Sequence, residues 1–397
     1  MRDLESLKQY TRTMRQEQML ELIIQCDGCL KAAADKLGCA PSTVQASVAR
    51  IERYAATVKG TRTIDKSEVH AEHYLKGLST LVSIKDGKRE PILEWVKTNA
   101  KLQDQLDCLR EFAEGLAENI EPVKPSPDVT HATMGDLLTV YPIADLHLGM
   151  LAWGEECGDS YDLKIASRAL RMAAEVLTAK SEQTTTAIVA NLGDFFHFDN
   201  DDQRTKASGA VLDGDGRWSK VVRLGVQGLK HFVECALAKH KHVHVINSIG
   251  NHDDQTALML PLILEPHYAR EPRVTIESAP RFYHYYEFGK NLLGFHHGHK
   301  VKPSALPDIM IADMREAVGR TKFSHWLTGH VHHEAKEYRT CLVESFRTLA
   351  AKDSYHSSHG YNSLRDIQAV TYHREFGECG RNRVSYAMLQ AMANPER

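Results

Sequence analysis

From residue 137 onward the chain repeats one pattern, a run of apolar residues that stops at a polar cluster. Residues 137–143 run into Asp145, 186–192 into Asp194, and 242–249 into Gly250-Asn251. Residues 292–295 run into His297, and 323–327 into Gly329. Runs this short and this continuously apolar predict buried strands, as in a parallel sheet. Residues 162–178, 219–239 and 305–319 predict helices between several of them. The alternation predicts an α/β sheet layer with its functional loops along one edge, where open sheets bind ligands. Beyond Glu334 the chain turns strand- and turn-rich and is expected to complete the sheet layers.

The first sixty residues follow a different period. Met19, Leu20, Leu22, Ile23 and Ile24 predict a helix ending near Asp27-Gly28, and residues 30–37, with the Ala32-Ala33-Ala34 face, a second that stops at Gly38. Ser42 or its neighbour can cap a third, running to about residue 56 with Val44, Val48 and Ile51 facing inward. Alanines that let two helices approach, a glycine turn, then a helix exposing short polar residues: this all-α module resembles a helix-turn-helix. Ser42, Thr43, Gln45, Arg50 and Arg53 are its candidate DNA contacts, and Lys59 and Arg62 extend the basic character. A three-helix dimerisation module is the alternative.

Residues 79–84 alternate like a strand, Asp86-Gly87 signals a hairpin, and 92–96 can pair back. Residues 99–120 carry Leu102, Leu106, Leu109, Phe112 and Leu116 on one helical stripe, a face for the catalytic region or for a second copy of the chain. Three prolines within residues 121–128 predict a semi-rigid linker. The expected domains are a DNA-binding module (1–62), a connecting region (63–128) and a catalytic domain (129–397). A homo-oligomer could form through the N-terminal or the 99–120 helices.

Composition narrows this only a little. Apolar content of 42% and charged content of 25% are ordinary for a globular protein. A net charge of −3 leaves any nucleic-acid contact to a local patch. Eight scattered cysteines, including Cys26 and Cys29 in C-x-x-C, are expected to be reduced thiols. With no apolar leader and no run of membrane-spanning length, the expectation is a cytoplasmic protein without membrane contact.

The chemistry lies in the polar clusters at the strand ends: Asp145-Leu146-His147, Gly193-Asp194, Gly250-Asn251-His252-Asp253, His297-Gly298-His299 and Gly329-His330-Val331-His332. Each alone is weak, but five in order after strand candidates point to a two-metal phosphoesterase. Hydrolysing a phosphodiester needs charge neutralisation, a hydroxide near neutral pH and help for the departing oxygen. Two cations supply the first two. Asp194, after its glycine, suits a bridging carboxylate. Imidazole, carboxylate and amide ligands favour Mn²⁺, with Fe²⁺ or Zn²⁺ as alternatives, over Ca²⁺. His252, next to the expected ligand Asn251, is the candidate stabiliser and proton donor.

The stretch from about residue 137 to 335 resembles the calcineurin-like metallophosphoesterase superfamily, whose motifs D-x-H, G-D, G-N-H-[DE], H and G-H-x-H it matches in full. The resemblance implies a β-sheet sandwich flanked by helices. It also implies a first metal on Asp145, His147 and His332, and a second on Asn251, His297 and His330, with Asp194 bridging. His252 would be the catalytic histidine, and Asp253 would orient it or its loop. His299 matches no ligand position. Gly193-Asp194-Phe195-Phe196-His197 lacks the arginine that protein phosphatases carry and is similar to the G-D-L-F-H of the DNA-repair nuclease branch, which gives His197 a supporting catalytic role. The charged stretch 199–217 is expected to be a mobile substrate loop or lid, with Arg204, Lys206 and Arg217 as phosphate contacts.

The leading expectation is a metal-dependent DNA endo- or exonuclease guided by its N-terminal module. The alternatives are a phosphatase or small-molecule phosphodiesterase with a dimerising N-terminus, and a DNA-binding regulator with a vestigial metal site.

Overall fold

A computed structural model describes residues 5–11, 14–26, 28–37, 41, 44–45, 47–49, 51, 73–85, 88–100, 122–205, 209–338 and 340–393, with 73–100 as backbone only. The chain divides into two compact units, Met1–Gln105 and Leu106–Arg397.

In the first unit, α1 (Met14–Gln25) and α2 (Leu30–Leu37) are joined through Gly28 at φ 81°. Leu20, Ile23, Ala33 and Ala34 pack with Val44, Val48 and Ile51, so the three residues expected to face inward do so. Gln45 is exposed, and the other proposed DNA contacts, Ser42, Thr43, Arg50 and Arg53, lie outside the described residues. Strands β1 (His73–Lys85) and β2 (Lys88–Ala100) pair antiparallel, as the hairpin signal predicts, closing at Lys85 opposite Lys88. The predicted helix over 99–120 does not begin where expected, because Asn99 and Ala100 finish β2 in register with Tyr74 and His73. Residues 101–120 lie outside the described residues.

The second unit is mixed α/β. Its six-stranded sheet comprises β3 (Met134–Ile143), β4 (Thr184–Asn191), β5 (His242–Asn247), β6 (Val274–Ile276), β12 (Asp366–His373) and β13 (Gly377–Ser385), in the order β13-β12-β3-β4-β5-β6. The run β3-β4-β5-β6 is parallel, with antiparallel β12 and β13 completing one edge. A five-stranded sheet holds β7 (His284–Phe288), β8 (Asn291–His296), β9 (Phe323–Thr328), β10 (Ala335–Tyr338) and β11 (Leu342–Ser345), in the order β10-β11-β9-β8-β7.

Strand alternation explains how the layers stack. Tyr141, Ile143, Val189, Val243 and Val245 share one core with the helices α3 (Leu163–Lys180), α4 (Trp218–Leu237) and α5 (Thr256–Tyr268). Their neighbours Leu138, Val140, Ile188, Ala190 and Ile246 point the other way and meet Leu293, Phe295 and Leu327 of the second sheet. The outer face of that sheet, with Leu292, Trp326 and Val343, packs on α6 (Leu306–Asp313) and α7 (Arg315–Arg320). The result is a helix–sheet–sheet–helix stack. The single helix expected over 305–319 is thus two, broken at Met314 by a ψ of 36°. The final helix, α8 (Tyr386–Ala393), follows β13.

An ion-pair network ties the two sheets together. Glu344 of β11 is fully buried and accepts a bidentate pair from Arg381 of β13, while His325 of β9 lies 3.1 Å away. Burial alone would raise its pKa, but Arg381 and His325 hold it down at about 2, against an ordinary 4.5. A depressed carboxyl stabilises the fold fully above its unfolded pKa and ceases to do so as pH falls through the folded value. Wild type is therefore expected to exceed Glu344→Gln in stability by about 3 kcal/mol near neutrality. That gap should shrink as pH falls from 4.5 toward 2, read by denaturant unfolding; a pH-independent gap contradicts the assignment.

Candidate metal centre

Five loops leave the C-terminal ends of β3, β4, β5, β8 and β9, and all five motifs ride on them. Two asparagines hold the loops after β4 and β5 together. Asn191 Nδ2 donates to Asn247 Oδ1 (2.7 Å), and Asn191 Oδ1 accepts from the Gly193 N–H (3.1 Å). Sequence reasoning passed over both, although a polar residue closing an apolar strand just before each motif was a legible signal.

The turns impose backbone strain on the functional residues themselves. Among the described residues, the non-glycine positions with positive φ are Asp145, His147, Asp194, Gln203, His330 and His332. All but Gln203 are expected metal ligands. Such conformations cost on the order of 1–3 kcal/mol each and persist where surrounding structure over-determines them. Two glycines let the loops close. A Cβ on Gly193 (φ 91°) would sit 2.8 Å from the His297 ring, and one on Gly250 would collide with the Asp194 backbone and carboxylate.

The side chains then converge in two groups. Asp145, His147 and His332 form one and Asp194, His297 and His330 the other, with the donor atoms of each group within 4.8 Å of one another. In the first, the Nε2 atoms of His147 and His332 face each other at 3.0 Å, and His332 Nε2 lies 3.3 Å from Asp145 Oδ1. In the second, His297 Nε2 lies 3.1 Å from both Asp194 Oδ2 and Asn251 Oδ1. His297 Nδ1 is spent on the Leu192 carbonyl (2.9 Å), which directs Nε2 inward. Asp145 joins the groups, since its carboxylate accepts the His330 N–H (2.8 and 2.9 Å) and its Oδ1 lies 4.0 Å from His297 Nε2. Thr348, a residue with no sequence signal, donates to the Asp145 carbonyl.

The electrostatics suit a cation. Although burial opposes it, Asp194 and Asp145 raise His297 to about 9, and Asp145 raises His332. Burial, reinforced by neighbouring imidazoles, holds His147 well below its ordinary value and thus neutral, with a lone pair to give. Two buried carboxylates, neutral or cation-seeking imidazoles and one amide oxygen are a donor set that fits one or two divalent ions of the Mn²⁺, Fe²⁺ or Zn²⁺ kind. Such ions supply Lewis-acid charge neutralisation and lower the pKa of water.

His252 belongs to neither group. Its backbone N–H donates to Asp194 Oδ1 (2.8 Å), and its Nδ1 lies 3.0 Å from the His197 carbonyl. A carbonyl only accepts, so Nδ1 carries a proton and Nε2 is the atom left for chemistry. His197 is buried, with its Nδ1 3.2 Å from His147 Nδ1 and its ring stacked on His252 (5.4 Å, 16°). Burial lowers its pKa to about 3. These contacts set it against both His147 and His252. His147, His197 and His252 also lie close enough together to form a third possible ligand group, which shares His147 with the first.

Asp253 orients the loop rather than the ring. Its buried carboxylate accepts the N–H groups of Asp194 (3.2 Å), Phe196 (3.1 Å) and Gly250 (3.1 Å). His299 stacks on His296 (6.0 Å, 3°), tilts against His297 (5.2 Å) and His330 (6.2 Å), and belongs to none of the groups.

No protein-family profile matches the chain, and no curated protein does. Among solved structures it is similar to a conserved uncharacterised protein of Streptococcus pneumoniae TIGR4 described as a predicted phosphoesterase. That match has 11% identity and a TM-score of 0.26, covering 63% of this chain and 98% of that one. It is also similar to the phosphopantetheinyl hydrolase of Mycobacterium tuberculosis, at 11% identity and a TM-score of 0.26, covering 54% and 91%. Likenesses this distant carry no argument, so the functional reading rests on the geometry.

The stretch 199–217 departs from a free lid. Asp199 accepts the N–H groups of Gln255 (3.0 Å) and Thr256 (2.8 Å) at the start of α5, Asp201 that of Trp218 (2.9 Å), and Asp215 that of Leu163 (2.9 Å). Three of the stretch's aspartates are thus spent on helix starts, where backbone donors need them. Of the cations, Arg204 donates to the Gly209 carbonyl (2.9 Å), and Lys206 lies outside the described residues. Among the described residues no helix is long and apolar enough to cross a membrane, and Cys26 and Cys29 are free thiols.

Proposed function

We propose that this protein is a two-metal-dependent phosphodiesterase of the calcineurin-like metallophosphoesterase type, acting on DNA that its N-terminal module engages. The observation that carries the chemistry is the convergence of Asp145, His147 and His332 with Asp194, His297 and His330 at one end of two facing sheets. Asp194 would bridge, Asn251 would complete the second site, and Mn²⁺ is the ion to try first. His252 would donate a proton from Nε2 to the departing oxygen, its Nδ1–H held by the His197 carbonyl. His197 would keep His147 and His252 in their orientations. The nuclease part draws on the missing phosphatase arginine after Asp194 and on the small helical core of residues 14–51.

Incubating the protein with Mn²⁺, end-labelled single- and double-stranded DNA and a chromogenic diester tests both parts. Cleavage of DNA supports the full reading, hydrolysis of the small ester with DNA intact removes the nuclease, and no hydrolysis with any divalent ion removes the phosphodiesterase. Binding itself is expected to register without turnover. Mn²⁺ at a hundredfold excess over its Kd should stabilise the second unit by about 2.7 kcal/mol per site, and chelator should reverse the shift. An unchanged Tm across metals would count against the site.

A further inference from the structure

Beyond the metal centre, a chain of rings leads from a proposed ligand to the surface. Asp353 caps the single helical turn Ser354–Ser358, accepting the His356 N–H (2.8 Å) and His356 Nδ1–H (2.6 Å). Fixed in this way, the His356 ring lies flat on His332 (4.6 Å between centroids, 14°). Tyr355 meets His356 edge-on at 5.7 Å, and Tyr361 meets it at 5.9 Å. His359 closes the cluster, 4.1 Å from Tyr355 and nearly parallel to Tyr361 (6.1 Å, 8°). The backbone supports the arrangement, with the Tyr361 N–H donating to the His356 carbonyl (3.0 Å). Yet Tyr355 and Tyr361 are 58% and 56% exposed. Two large rings are therefore held in place at a cost in entropy and left facing solvent, two ring contacts from the metal centre.

We infer that Tyr355 and Tyr361, with His356 beneath them, form the subsite for an unpaired nucleobase of the substrate, next to the phosphodiester at the metal centre. The inference rests on the phosphodiesterase reading above and gives that reading its substrate class, a single-stranded nucleic acid or an unstacked end. Residues 354–361 contain no lysine or arginine, so the cluster is not built to hold a phosphate or another anion. Of the carboxylates at its base, Asp353 is spent on His356 and Asp213 accepts from the Ser354 hydroxyl (3.1 Å). What remains is a set of aromatic faces, which suits bases of any sequence because every base has a π-face. A diester whose phosphorus sits at the metal centre carries a nucleoside on each side, and one of these would reach across His332 and His356 to the tyrosines.

The test uses the full chain and a trinucleotide containing 2-aminopurine, whose fluorescence is quenched on stacking. Wild type is expected to quench it, and Tyr355→Leu/Tyr361→Leu, which keeps the apolar bulk, to weaken binding at least about tenfold. The same trinucleotide with an abasic site should bind the two proteins alike. Hydrolysis of methyl p-nitrophenyl phosphate, which carries no base, should be unchanged by the double substitution. Equal quenching by both proteins, or none by wild type, overturns the subsite. Quenching lost in the variant while no diester is hydrolysed keeps the base site and removes the phosphodiesterase reading.

Discussion

His252→Ala is expected to lower kcat for phosphodiester hydrolysis by about 10²- to 10⁴-fold, the usual contribution of a positioned general acid. Metal content should not change if the ions sit in the Asp145/His147/His332 and Asp194/His297/His330 groups, which do not include His252. Its Nδ1 donates to the His197 carbonyl, so the ring cannot turn without losing that bond, and Nε2 stays the atom that exchanges a proton. A proton donor matters in proportion to the basicity of the oxygen it serves. The loss should therefore be larger for a deoxyribose leaving group than for p-nitrophenolate. Metal analysis beside kinetics on both substrates checks this. Equal losses on the two esters would make His252 a stabiliser of the transition state rather than an acid, and metal lost together with activity would make it a ligand.

Asp253→Ala is expected to have the largest effect on stability of any single change near the site. Its carboxylate accepts three backbone N–H groups in a fully buried position, from Asp194 and Phe196 on one loop and Gly250 on another. Alanine leaves those donors unpaired at about 1–3 kcal/mol each. Even partial relaxation leaves a loss of about 3–6 kcal/mol, a large part of the ~5–15 kcal/mol of a typical domain. The same bonds set the turn that carries Asp194, so metal affinity should fall about 10- to 100-fold. Asp253→Asn keeps one acceptor oxygen and should fall between. Denaturant unfolding and metal titration of the three proteins measure both. An alanine variant with wild-type stability would mean that the loops are held by something other than this carboxylate.

Much of the second unit was legible because local and global signals agree there. Buried parallel strands must be short and apolar, and each ends where a motif begins, so β3, β4, β5, β8 and β9 lie within a few residues of their expected limits. Asp162, expected inside the helix, instead caps α3, its side chain accepting the Ile165 N–H. The break at Met314 was not legible, since α6 and α7 each keep an apolar face on the second sheet and the period continues across them. The loop after His197 misled for a different reason. Its aspartates look like solvated charge in sequence, but three of them accept the first N–H groups of helices, two of them 52 and 57 residues away. A hydrogen bond to a distant helix start leaves no trace in local composition.

The sequence by itself determined the residue types of the site and their order. Only aspartate, asparagine and histidine in D-x-H, G-D, G-N-H-D and G-H-x-H spacing offer that mix of donors, and spacing is a property of the chain. The tertiary structure alone decided how those donors meet. It sorted them into two groups, turned Nε2 of His297 inward by occupying Nδ1, and gave Asp253 to the loops instead of to His252. It also brought the ring of His356 onto His332 across a gap in sequence that no periodicity spans. The physical reason is that donor chemistry belongs to each side chain, whereas direction, tautomer and distance are set by backbone turns and packing from strands far apart in the chain.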